Sequence, residues 1–156
     1  MSAVGQPELS VIIPTYARNA SVIRAVVSAL DQDVDLEVII VDDGSPTPVE
    51  FMNDDRVRVL RLATNVGTAA ARNAGVRAAH SNWIAFLDSD DAWTAGTLRS
   101  RLQTAQDAGD ENDVIWACGF RDVWPDGRNG ERVPVSASAP ELFASGCWSC
   151  PGSTAL

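Results

Sequence analysis

The chain has 156 residues, of which 46% are hydrophobic, and its formal net charge is -9. This length suits one domain with a sizeable core, and the negative charge excludes a surface that binds nucleic-acid phosphates. No apolar run approaches the roughly 20 residues that span a bilayer. The first ten residues lack the basic and apolar regions of a secretory signal. We therefore expect a cytoplasmic protein without a transmembrane segment.

Short apolar runs alternate with helical patterns along most of the chain. Hydrophobic periodicity predicts strands at 9–14, 37–41, 57–62, 83–87 and 113–118. It predicts helices at 20–30 and 68–79, and a third helix from an N-cap at Thr94 to about residue 107. Segments 120–123 and 132–135 flank Pro125-Asp126-Gly127, which predicts a hairpin. This order favours an α/β fold with a mostly parallel central sheet flanked by helices.

Polar side chains follow three of the predicted strands. Pro14 to Arg18 end the first strand, Asp42 and Asp43 follow the second, and Asp88 to Asp91 follow the fourth. Open α/β sheets bind ligands beyond the carboxyl ends of their strands, especially where the strand order reverses. We therefore expect these hydroxyl, guanidinium and carboxylate groups to share one site.

The acidic cluster after the fourth strand suggests a bound cation. Carboxylates about 4 Å apart repel by roughly 1 kcal/mol in water and about 4 at an effective dielectric constant of 20. Asp88 and Asp90 have the spacing that points two side chains the same way, and Mg²⁺ or Mn²⁺ prefers such oxygen ligands. Asp91 is a weaker candidate ligand. The alternative is that one aspartate caps the next helix while the others are solvated.

A turn at Asn65-Val66-Gly67 precedes the second predicted helix. The free N–H groups of a helix N-terminus favour anions, and Arg72 lies one turn further along. An anion-binding turn and a plain amphipathic helix are both open interpretations of this segment. Gly75 in mid-helix costs about 1 kcal/mol relative to alanine, which indicates close packing against the sheet.

Four segments, VIIPTYARN, EVIIVDDGS, NVGTAAARNAGVRAA and WIAFLDSDDAW, stand in this order between residues 9 and 93. Together they resemble the successive motifs of family-2 glycosyltransferases with the GT-A fold, a Rossmann-like nucleotide-diphospho-sugar transferase fold. The resemblance implies a nucleotide-sugar-binding domain at 9–118, after a flexible N-terminus at 1–8. It implies a hairpin and the start of an acceptor-binding region at 119–156. The expected donor is linked to UDP, GDP or dTDP, and the expected cofactor is Mn²⁺ or Mg²⁺.

The resemblance also implies roles for individual residues. Thr15, Tyr16 and Arg18 would line the base and ribose pocket. The remaining expected donor contacts are Asp43, together with Asp42, toward the base, Arg72 toward the base or diphosphate, and Pro14, Gly67, Asp88 and Ser89. Asp88 and Asp90 would form the metal-binding DxD pair, with Asp90 favoured over Asp88 as the direct ligand, and Asp91 would be a weaker candidate ligand.

The catalytic base of the implied reaction has no candidate in this sequence. In the family a hydroxyl of a glycan, lipid or small-molecule acceptor attacks the anomeric carbon with inversion, helped by a carboxylate base. We expect that base beyond Leu156, in a protein located in the cytoplasm or at the inner face of the membrane. We therefore expect nucleotide binding with little transfer by this chain, and self-association through an exposed sheet edge.

Other functions fit the sequence less well. A non-catalytic nucleotide-sugar-binding module is the main alternative, because the base is missing. An aspartyl-phosphate phosphohydrolase would need a lysine, and the chain has none. A dinucleotide oxidoreductase would need G-x-G-x-x-G after the first strand. Cys147 and Cys150 cannot complete a four-ligand zinc site, and the only histidine, His80, is expected at the surface near a helix end.

Overall fold

The computed structural model describes residues 5–51, 54–107, 120–123 and 126–132. Within these ranges the strands are β1 (Leu9–Thr15), β2 (Leu36–Asp42), β3 (Val57–Arg61), β4 (Ile84–Phe86), β5 (Phe120–Val123) and β6 (Asn129–Arg132). The helices are α1 (Asn19–Leu30), α2 (Thr68–Ala78) and α3 (Leu98–Asp107), and none of these described helices is long and apolar enough to cross a membrane. The predicted strand at 113–118 lies outside the described residues.

The first four strands form one parallel sheet in the order β3-β2-β1-β4. Val11 of β1 pairs with Val38 of β2 on one side and with Ala85 of β4 on the other. In chain order the sheet extends from β1 through β2 to β3, and the chain then crosses back so that β4 pairs with β1. The strand order therefore reverses between β1 and β4, which is where open α/β sheets form ligand clefts.

Strands β1 and β2 are buried along their whole length because helices cover both faces of the sheet. On one face α1 packs on β1 and β2 through Val22 and Val26. On the other face Ala71 of α2 packs against residues such as Ile12 and Ile39. The unbroken apolar runs of the sequence are thus the central strands of a three-layer arrangement, as predicted.

Two predicted boundaries are wrong. Helix α3 begins at Leu98 rather than after an N-cap at Thr94, because a turn containing Gly96 at φ 70° intervenes. In that turn the hydroxyl of Thr97 donates to the carbonyl of Thr94 at 2.8 Å. The predicted hairpin is present, but its second strand begins at Asn129 rather than at residue 132, since Val123 pairs with Asn129 across a shorter connection; residues 133–135 of the predicted strand lie outside the described residues.

Glu37 ties the amino-terminal edge of the sheet to the end of α2. Its Oε1 accepts hydrogen bonds from the Ser10 hydroxyl at 2.6 Å and from the backbone N–H of His80 at 2.7 Å. Its Oε2 accepts one from Nε of Arg58 at 3.1 Å. Burial by itself would raise the pKa of Glu37, but these hydrogen bonds and the charge of Arg58 outweigh it and lower the pKa. His80 follows the end of α2 with an exposed ring, as predicted.

Gly75 lets α2 approach the sheet closely. A Cβ at this position would lie 2.5 Å from Cγ2 of Ile12 and 3.1 Å from Cγ2 of Val41. We expect Gly75→Val to lower the free energy of unfolding by about 1–3 kcal/mol, because overpacking forces side chains and backbone apart. Urea denaturation measures this change. Ala70→Ser on the exposed face of α2 is the control, and equal stability of both variants would contradict the close-packing argument.

Glu37→Gln should destabilise the fold by about 1–3 kcal/mol at pH 7, because the buried hydroxyl of Ser10 loses its charged acceptor. A carboxyl whose pKa is lowered by folding contributes stability above its ordinary value, here 4.5, and this contribution is lost as the pH falls through the folded value. The variant should therefore show a flatter fall in stability below about pH 4.5 in urea titrations at several pH values. The exposed Glu50→Gln is the control. If the stability of Glu37→Gln fell with pH as steeply as that of the unmodified chain, the assignment would be refuted.

Candidate functional site

A cleft of about 390 Å³ opens at the carboxyl edge of the sheet, beside the reversal of strand order. It is formed by the segments that follow β1, β2 and β4 and by the first turns of α2. The predicted site residues that line it are Pro14, Thr15, Tyr16, Arg18, Asp43, Arg72, Asp88, Ser89 and Asp90. The convergence of three strand ends that the sequence predicted is therefore present in the structure.

Asp42 does not line the cleft, although it was predicted to contact the base together with Asp43. It is fully buried, and its Oδ1 accepts the N–H of Ser45 at 2.9 Å. Its Oδ2 accepts the N–H of Val49 at 3.3 Å and Nη1 of Arg61 at 2.5 Å. The neighbouring carboxylates thus have different tasks, because successive residues at the end of a strand point to opposite sides.

Asp43 holds the turn that leads into α2. Its two carboxylate oxygens accept the N–H groups of Val66 at 2.8 Å and Gly67 at 2.9 Å. Its own N–H donates to the carbonyl of Thr15 at 2.9 Å, which joins the segments after β1 and β2. Gly67, at φ 88°, is therefore a backbone donor to Asp43 and does not line the cleft. The predicted anion-binding turn binds a carboxylate of this same chain.

The other two cleft carboxylates face arginines. Asp88 pairs with Nη2 of Arg72 at 2.5 Å, and Asp90 pairs with Arg18. Arg72 also lies over the ring of Phe86, with 5.6 Å between Cζ and the ring centroid, a geometry in which the aromatic face attracts a cation. These pairs balance the negative charge of the cleft wall by salt bridges.

Asp88, Asp90 and Asp91 are not gathered into one metal cluster. Within the described part of the chain, no three carboxylate, histidine or cysteine side chains are placed to hold a metal ion. Asp91 does not line the cleft, because its N–H donates to the carbonyl of Asp88 at 3.0 Å in a tight turn. Asp88 and Asp90 do share the cleft. Two carboxylates suit Mg²⁺ or Mn²⁺, which completes its shell with water and phosphate oxygens.

Two polar atoms in the cleft wall lack a hydrogen-bond partner among the described residues. They are Oγ1 of Thr15 and Nε of Arg72. A buried polar atom without a partner costs about 1–3 kcal/mol, and native structures contain few of them. Both residues line the cleft, but these two atoms are themselves buried.

Sequence reasoning missed three residues that support the cleft from behind. Arg24 donates to the carbonyl of Asp90, and Ser45 accepts the N–H of Ala17 at 2.9 Å. Arg61 donates to Asp42 and to the carbonyl of Ser45 at 2.8 Å. The spacing of Asp42 and Ser45 is typical of a carboxylate that caps its own turn, but nothing local in the sequence points to the two arginines.

Comparisons with known proteins agree with this geometry. The family described as Glycosyl transferase family 2 matches residues 10–141. The chain belongs to this glycosyltransferase family. It is similar to the succinoglycan biosynthesis protein ExoO of Rhizobium meliloti, at 41% identity over 70% of this chain. It is also similar to TuaG of Bacillus subtilis, a putative teichuronic acid biosynthesis glycosyltransferase, at 37% identity over 63% of this chain.

The chain spans 34% of the length of the R. meliloti relative and 42% of the B. subtilis relative. Among solved structures it is similar to S. aureus TarS 1-349 in complex with UDP. This match has a TM-score of 0.54 and 27% identity over 64% of this chain and 32% of that chain. The complex of TarS 1-349 with UDP-GlcNAc has a TM-score of 0.51 and 29% identity, over 65% and 30%. The predicted family and GT-A-like fold are confirmed.

Asp43→Asn should destabilise this family-2 domain, because an amide offers one acceptor oxygen where the turn before α2 presents two N–H groups. We expect a loss of about 1–3 kcal/mol in the free energy of unfolding, measured with urea. Asn65→Ala is the matched control, since Asn65 accepts the same N–H of Gly67 at 3.2 Å from an exposed position. The assignment fails if Asn65→Ala costs as much as Asp43→Asn.

Proposed function

We propose that this chain forms the donor-binding part of a glycosyltransferase that moves a sugar from a nucleotide diphosphate to an acceptor hydroxyl with inversion. The observation that carries the proposal is the meeting of Arg18, Arg72, Asp43, Asp88 and Asp90 in one cleft at the reversal of strand order. The complexes of the related TarS domain with UDP and UDP-GlcNAc support a nucleotide-sugar donor. The donor class is a sugar linked to UDP, GDP or dTDP.

The cleft divides into two parts. In the proposal Tyr16, with 45% of its surface exposed, offers a ring against which a base or ribose can pack. Thr15 and Asp43 lie beside it and provide a hydroxyl and a carboxylate for polar groups of the nucleoside. Arg18 and Arg72 lie toward the acidic segment after β4 and provide guanidinium groups for the diphosphate.

In the proposal Asp88 and Asp90 hold Mg²⁺ or Mn²⁺, which would stabilise the negative charge that develops on the departing diphosphate. Both carboxylates are now paired with arginines. Cation binding at the carboxylates would free Arg18 and Arg72 for phosphate oxygens. Binding of the cation and binding of the diphosphate should therefore strengthen each other, because each supplies the partner that the other displaces.

The catalytic base is proposed to come from outside this cleft. Asp43 uses both oxygens on backbone N–H groups, and Asp88 and Asp90 face arginines, so these three carboxylates are poorly placed to take a proton from an acceptor. The acceptor is proposed to be a glycan, a lipid or a small molecule with a free hydroxyl. Cytoplasmic location, at the inner face of the membrane or away from it, and self-association stay predictions.

A calorimetric screen of UDP, GDP and dTDP with and without Mn²⁺ tests the proposal. We expect one nucleotide to bind more tightly with Mn²⁺, and Asp90→Ala to remove the metal-dependent part of the affinity. Asp43→Ala should weaken binding with and without metal. The exposed hairpin variant Asp126→Asn is the control. Absence of binding by all three nucleotides, or full metal dependence in Asp90→Ala, would overturn the proposal.

Sugar transfer separates the enzyme from a non-catalytic nucleotide-sugar-binding module. The base is proposed to come from outside the cleft, so this chain should bind the nucleotide but turn over its sugar slowly or not at all. A longer chain that includes an acceptor-binding region should transfer the sugar. Hydrolysis of the donor with Mn²⁺, followed by chromatography of the released nucleotide, gives the rate. Donor binding without hydrolysis or transfer in that longer chain would favour the binding module.

A further inference from the structure

Three side chains behind the cleft form a hydrogen-bonded connection from β3 to the segment after β1. Nη1 of Arg61 donates to Oδ2 of Asp42 at 2.5 Å, and Nη2 donates to the carbonyl of Ser45 at 2.8 Å. Oδ1 of Asp42 accepts the N–H of Ser45 at 2.9 Å. The Ser45 hydroxyl oxygen in turn accepts the N–H of Ala17 at 2.9 Å. The connection therefore ends on the backbone of the cleft wall.

The two central members of this connection are buried and have no access to a ligand. Asp42 is 0% exposed and Ser45 is 1% exposed, and neither lines the cleft. Burial by itself would raise the pKa of Asp42, but hydrogen bonds from Ser45 and Val49 and the charge of Arg61 lower it. The carboxylate therefore stays charged and fully bonded, and a buried charge with its partners in place is costly to reorient.

Ala17 needs this support because its backbone is strained. At φ 53° it is the one non-glycine residue with positive φ in the described ranges, and this conformation costs an L-residue roughly 1–2 kcal/mol. Such strain persists only where surrounding contacts maintain it. Ala17 separates Tyr16 from Arg18, and both of these residues line the cleft. Relaxation of Ala17 to negative φ would turn the two side chains away from their present positions.

We infer that Ser45 is a positioning residue for nucleotide-diphosphate binding, held by Asp42 and Arg61 and acting through Ala17 on Tyr16 and Arg18. The inference rests on the proposed function, because its effect on binding is measured with a nucleotide diphosphate. It assigns to the DDGS segment a second role besides that of Asp43. The serine orients the wall of the cleft without touching the ligand.

Matched pairs of variants test the inference. Ser45→Ala is compared with Ser10→Ala, a buried serine that hydrogen-bonds Glu37 at the opposite edge of the sheet. Arg61→Gln is compared with Arg58→Gln, which lies on the same strand and binds that same glutamate. Calorimetry with UDP, GDP and dTDP in the presence of Mn²⁺ should show about tenfold weaker binding for Ser45→Ala and a smaller loss for Arg61→Gln. The two controls should lose stability in urea without losing affinity.

Fluorine NMR supplies a reading that needs no ligand. Tyr16 is the only tyrosine of the chain, so 3-fluorotyrosine labelling gives one resonance at the cleft wall. We expect this resonance to shift or split in Ser45→Ala and Arg61→Gln and to stay in place in Ser10→Ala and Arg58→Gln. An unchanged resonance in folded Ser45→Ala would overturn the inference. A changed resonance in a chain that binds none of the three nucleotides would overturn the proposed function and leave the positioning role standing.

Discussion

The carboxyl edge of the sheet depends on the neutralisation of its aspartates. Asp42 is the last residue of β2, Asp43 follows it, and Asp88 and Asp90 follow β4. Each accepts hydrogen bonds from an arginine or from backbone N–H groups. Without such partners, carboxylates about 4 Å apart repel one another by about 4 kcal/mol at an effective dielectric constant of 20. The cleft wall can therefore be rich in carboxylates and still be folded.

Much of this arrangement followed from local patterns. The apolar runs at β1 and β2 indicated central strands, and parallel strands bring their carboxyl ends to one edge, so the location of the cleft could be predicted. Strand alternation places Asp42 and Asp43 on opposite sides, but which of them lines the cleft could not be predicted, because the buried Asp42 depends on Arg61 of a different strand. The start of α3 was missed for a related reason: only the backbone shows that Gly96 makes a turn after Thr94.

The arginines serve this fold through their geometry as well as their charge. A guanidinium group can donate to a side chain and to a backbone carbonyl at once. Arg61 does so with Asp42 and the carbonyl of Ser45, and Arg58 does so with Glu37 and the carbonyl of Ala78. Two arginines of β3 thus stabilise both the amino-terminal and the carboxyl-terminal ends of the parallel strands. The compact ammonium group of a lysine lacks the planar set of donors that lets arginine bond both acceptors at once. At these two positions arginine therefore serves the structure better than lysine would.

The missing side chain at Gly75 has a consequence for the cleft as well as for packing. Since Ile12 and Val41 would collide with a Cβ at this position, the distance between α2 and the sheet is set by an absent methyl group. Arg72 lies on the same helix nearly one turn earlier, so this distance also sets how deeply its guanidinium enters the cleft. A larger residue at position 75 would move α2 away from the sheet and the guanidinium group of Arg72 outward with it. The position of the Arg72 guanidinium group is thus set by Gly75, which does not itself line the cleft.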